Sequence, residues 1–90
     1  MAGAQATTVD DELIGRITAA LRTEFPHDTV DVSHGYGNNL HVVVVSRRFD
    51  DMSETEKQEL LWSVIDRSDL IDVEKSRISL MLAYSPGSLK

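Results

Sequence analysis

The sequence predicts one α+β domain with the order helix, strand, strand, helix, short helix, strand. Its strands form a three-stranded mixed sheet with the helices on one face. Three observations carry this reading. Two segments, one near each end of the chain's first two thirds, space their apolar residues by three and four, the period of a helix with one buried stripe. Between them lie two β-branched runs joined by a Gly- and Asn-rich turn, and after them comes one cleanly alternating run, both patterns of strands. A hairpin followed by a helical crossover to a third strand leads to this architecture.

The elements follow in order. Residues 1–7 have no periodicity, so 1–8 is expected as a disordered tail, 9–87 as the domain and 88–90 as a C-terminal tail. Val9, Leu13, Ile14, Ile17, Ala20 and Leu21 form one helical stripe. Thr8 or Asp10 can cap it, and Pro26 disfavours helix at Phe25, which predicts helix 10–24. Over 29–33, Val30 and Val32 alternate with Thr29, Asp31 and Ser33, a half-buried strand. The turn 34–39 needs a positive φ. Leu40 and the run of valines up to Val45 are apolar on both faces, the mark of a central strand extending to Arg47.

Ser53 and Glu56 fit a capping box that opens a helix over 54–67, with Leu60, Leu61, Val64 and Ile65 as its stripe. Residues 68–74 suit a further helical turn. From 77 to 85, Ile78, Leu80, Leu82 and Tyr84 are expected on one face, and Arg77, Ser79, Met81, Ala83 and Ser85 on the other, before Pro86 stops the strand.

Ninety residues make one domain, and 41% apolar residues suffice for one compact core. The absence of cysteine excludes disulfides, thiolate nucleophiles and thiolate metal sites within this chain. No apolar run approaches the roughly 20 residues of a membrane span, and the first nine residues lack the regions of a signal peptide, so no membrane role and a cytoplasmic location are expected. A net charge of −6 argues against phosphate-driven nucleic-acid binding.

Several residues could carry chemistry. His34, in the Gly-flanked turn, can bind a metal or a partner, and its ordinary reading is a solvated loop imidazole. Gly35-Tyr36-Gly37-Asn38 differs from the Gly-x-x-Gly nucleotide clamp in spacing, in joining strands and in lacking a cation, so a hairpin turn is expected there. Asp50, Asp51, Glu54 and Glu56 suit a divalent cation or acid–base work, but helix-dipole complementarity explains them at no functional cost and is the expected reading. Trp62 lies about 160° from its helix's stripe. It is an interface anchor or is covered by Leu70, Ile71 and Val73. A three-stranded sheet with helices on one side leaves its other face bare. Either Leu40, Val42 and Val44 or Val43 and Val45 must lie there, and such a patch suits a partner or a second copy.

The stretch from His41 through Val45-Ser46 to Phe49 and Met52-Ser53 resembles the BolA-like family, whose fold is related to the type II KH domain. The first strand Val30-Asp31-Val32-Ser33 before a His-containing loop, and the last strand leading into Ser85-Pro86, are also similar. Family members carry an Arg-His-Arg-like triplet early in the second helix, where this chain reads Thr55-Glu56-Lys57-Gln58-Glu59. They also carry a His at the start of the last strand, and counting back from Pro86 that place falls on Arg77. The resemblance implies a monothiol glutaredoxin partner. It also implies an iron–sulfur cluster shared with that partner, held by the last-strand His and a His or Cys in the hairpin loop.

With only His34 matching, no resident cofactor is expected, and His34 serves as a ligand only where a partner supplies the others. The chain is therefore expected to be a small non-enzymatic interaction module, with Trp62, Val43, Val45 and Arg77 as contact residues and a homodimer among the outcomes. A KH-like nucleic-acid-binding regulator is the alternative.

Overall fold

The computed structural model describes the backbone of residues 2–89 and the side chains of 11–87. Helix α1 (Ala2–Glu24) leads into strand β1 (Thr29–His34) and strand β2 (Leu40–Val45). A 3₁₀ turn (Arg47–Phe49) connects β2 to helix α2 (Glu54–Arg67), the single turn α3 (Asp72–Lys75), strand β3 (Ile78–Tyr84) and a last 3₁₀ turn (Pro86–Leu89). The sheet order is β1-β2-β3, with β1 antiparallel and β3 parallel to β2. This is the α+β mixed sheet that the sequence predicts, with β2 at its centre. Among the described residues no helix is long and apolar enough to cross a membrane.

α1 begins well upstream of the start expected at Thr8 or Asp10. Its first residues, Ala2-Gly3-Ala4-Gln5-Ala6, contain no proline and are rich in the best helix former. The tails expected at 1–8 and 88–90 fall on residues whose side chains are not described. Leu13, Ile17 and Leu21 are buried, as the stripe requires, and Phe25 is buried just past the helix end.

α2 starts where the capping box places it. Glu56 N–H donates to Ser53 Oγ at 3.1 Å, and Ser53 N–H donates to Glu56 Oε1 at 2.8 Å. Ser53→Ala is expected to destabilise the domain by about 0.5–2 kcal/mol, read from the urea midpoint, because an orphan amide loses its acceptor. The buried face of α2 is Lys57, Leu61, Val64 and Ile65, while Leu60 is only half-buried. Lys57 buries its stem and reaches Glu54 Oε1 at 3.0 Å.

β2 alternates cleanly. Leu40, Val42 and Val44 are buried, while His41, Val43 and Val45 are half-buried on the other face. β2 ends two residues earlier than expected, because Ser46 turns the chain. Its amide donates to Tyr84 C=O at 3.0 Å, and its hydroxyl accepts from Arg48 N–H at 3.1 Å. Phe49 then drops into the core against Phe25, with ring centroids 5.6 Å apart.

β3 corrects the expected alternation. Leu40 pairs with Ile78, but His41 pairs with Leu80, so Ser79 is an extra residue in the ladder. From there on the faces exchange: Ile78, Met81 and Ala83 point to the core, and Leu80, Leu82 and Tyr84 lie with Val43 and Val45 on the open side. A strict period of two cannot foresee this, because both parity sets of the strand are apolar.

Ion pairs tie the helices to the connections. Arg48 stacks 4.7 Å over the Phe25 ring and donates from Nη1 to the Glu24 carboxylate at 2.8 Å. Arg16 grips Glu74 through both of its terminal nitrogens, at 2.7 and 3.2 Å. The hydrogen bond from Arg48 holds the Glu24 carboxyl below the usual carboxylate range, and that from Arg16 does the same for Glu74. The Ser53 amide lowers Glu56. Groups lowered in the folded state stabilise it above their ordinary value of 4.5 and lose that contribution as the pH falls through their folded values. The urea midpoint is thus expected to hold down to about pH 5 and fall below it. Glu74→Gln is expected to flatten part of that fall, and an unchanged acid slope would refute its share.

Candidate interaction surface

Helices cover one side of the sheet and leave the other open, so the open face is set by strand register. Across it, Thr29, Val45 and Tyr84 form one row, Asp31, Val43 and Leu82 the next, and Ser33, His41 and Leu80 the third. The β1 column is polar, while β2 and β3 contribute adjoining apolar side chains, Leu80 being 41% exposed. Val43 and Val45 therefore lie together, as expected for the bare face. Leu80, Leu82 and Tyr84 join them, which sequence reasoning missed because the bulge at Ser79 reverses their parity.

The hairpin loop borders this face. Gly35 N–H donates to Asn39 C=O at 2.8 Å, and Asn39 N–H donates to Tyr36 C=O at 3.2 Å. Gly37 takes the positive φ, at 66°. Gly35 serves a different purpose. A Cβ there would collide with the His41 ring, so the imidazole packs directly on the glycine backbone. His34 is the last residue of β1 rather than a loop residue, and its side chain is exposed.

Arg77 sits at the entry to β3. Its carbonyl accepts from Leu40 N–H at 2.7 Å, and its Nε donates to Asn38 C=O at 2.9 Å. Since His34 pairs with Leu40 from the other side, the hairpin end of the sheet holds both His34 and Arg77. A guanidinium carries no lone pair for iron, so these two residues do not fit the two-ligand side of a shared cluster. Among the described residues, no group of three or more His, Asp or Glu is placed to hold a metal ion. Of the acidic residues before and within the first turn of α2, Glu56 completes the capping box and Glu54 pairs with Lys57.

Trp62 is on the helix side of the sheet, apart from Val43 and Val45. It is half-buried and packs on the rim of the core. Ile71 and Val73, the residues expected to cover it, stay 59% and 66% exposed, and of that segment only Leu70 is buried. Comparison with protein-family models, curated proteins and solved structures gives no match for this chain.

Proposed function

We propose that this chain is a small non-enzymatic interaction module that binds a protein partner through the open face of its sheet. The observation that supports it is the continuous apolar patch of Val43, Val45, Leu80, Leu82 and Tyr84, flanked by the polar column of β1. Contiguous apolar surface on one side of a small domain is characteristic of a contact surface. The resemblance to the BolA-like family makes a monothiol glutaredoxin the first partner to test. The chain's own donors argue for contact without a bridged cluster, since Arg77 stands where that role needs an imidazole.

The test is capture of a monothiol glutaredoxin by the native chain and by Val43→Lys, with visible absorption recorded after co-expression. Binding that is colourless and lost in Val43→Lys supports the reading. Equal capture by both chains, or none, refutes the open face as the contact. Light scattering on the chain alone separates the homodimer: a mass doubled in the native chain and single in Val43→Lys places a second copy there.

A further inference from the structure

The outer edge of β3 is a second surface, distinct from the open face. Ser46 N–H donates to Tyr84 C=O, so Tyr84 directs its peptide groups towards β2. Strand alternation does the same for Leu82 and Leu80, and turns those of Met81 and Ala83 outward. The outward carbonyl of Met81 accepts from Gln58 Nε2 of α2 at 2.7 Å. The N–H groups of Met81 and Ala83 and the carbonyl of Ala83 have no partner among the described residues. β3 has a strand neighbour on one side only, and Met81 and Ala83 along its outer edge are 5% and 6% exposed.

That edge has a shaped flank. Beside Gln58, α2 bounds an open depression of about 430 Å³ lined by Glu54, Thr55, Gln58, Glu59 and Trp62. Trp62 is its aromatic lining residue, and two of the other four are glutamates. Glu59 is exposed and pairs with no cation among the described residues.

We propose that an extended peptide alternating basic and apolar residues adds to β3 as a fourth strand. Successive side chains of an added strand point to opposite faces. Those on the helix side enter the depression, where a Lys or Arg lays its stem on Trp62 and its charge beside Glu59. Those on the other side extend the row of Leu80, Leu82 and Tyr84, so apolar residues suit them. A second copy of the chain is the competing occupant, and charge disfavours it. Two β3 edges paired about a two-fold axis would bring the α2 flanks together, glutamate against glutamate, on chains that each carry −6. The proposal rests on the interaction-module reading but uses the edge rather than the face, so each can fail without the other.

Trp62 is the only tryptophan of the chain, so its emission reports the depression directly. The probe is an acetylated, amidated hexapeptide of alternating lysine and valine, titrated at low salt, with amide hydrogen exchange as the second readout. The expected result is a saturable change in Trp62 emission together with slowed exchange at the Met81 and Ala83 amides. Glu59→Lys is expected to weaken binding by about threefold to tenfold, the ratio of one exposed charge pair lost and one repulsion gained. The glutamate–valine counterpart is expected not to bind. The same lysine–valine peptide N-methylated at alternate residues leaves the protein intact but cannot complete the ladder, and it is expected to bind at least about tenfold more weakly. Equal binding by the N-methylated peptide would reduce the effect to charge attraction and overturn the proposal, as would no saturable response up to about 1 mM. Protection of the Met81 and Ala83 amides that rises with protein concentration and needs no peptide would assign the edge to a second copy instead.

Discussion

Val42→Lys is expected to leave the chain unfolded, while Val43→Lys, one position away, gives a folded domain of nearly native stability. Val42 is fully buried among α1, α2 and the sheet's inner face, whereas Val43 is half-buried on the open side. An unpaired ammonium at Val42 costs several kcal/mol, a penalty comparable with the whole stability of a domain this small. At Val43 the lysine stem lies along the patch and its charge reaches water, so a change of about 1 kcal/mol or less is expected. Far-ultraviolet circular dichroism and urea titration of the two variants decide it. A folded Val42→Lys beside an unfolded Val43→Lys would mean that β2 presents its other side to the helices.

Phe49→Ala is expected to cost about 3–5 kcal/mol, enough to leave the domain marginal. Phe49 is 1% exposed although it lies in a connection, and its ring meets that of Phe25 at 48°. Phe25 in turn carries Arg48 on its face, and Arg48 holds the C-terminal end of α1 through the Glu24 carboxylate and carbonyl. Removing one ring therefore opens a cavity and loosens the clasp between α1 and the turn before α2. Phe25→Ala is expected to be of similar size, and the double variant less than additive, because both changes remove the same ring contact. The urea midpoints of the three variants give the coupling. Strict additivity would show that the two rings contribute independently.

Elements whose rules are local were legible. The Ser53 and Glu56 capping box gave the first residue of α2, since hydroxyl and carboxylate find their amides within one turn of chain. The Gly-rich stretch required a positive φ, and Gly37 supplies it. The central place of β2 followed from valines on both of its faces. The candidate surface was only partly legible: Val43 and Val45 do lie on the open face, but Leu80, Leu82 and Tyr84 came with them unforeseen, and Trp62 belongs to a different side of the molecule. Gln58, which marks the outer edge of β3, gave no sign of itself, because a glutamine that bonds a strand 23 positions later looks like any exposed helix residue.

What the sequence determined by itself was the order of elements, their periods and the class of sheet, each set by interactions between residues a few positions apart. What only the tertiary structure decided was orientation. Val42 and Val44 are no more apolar than Val43 and Val45, and they are buried because α1 and α2 close on that side. The extra residue at Ser79 arises where β3 must meet β2 in parallel register. A strand that is apolar on both faces carries no local signal for which face is inside, so the choice falls to long-range packing.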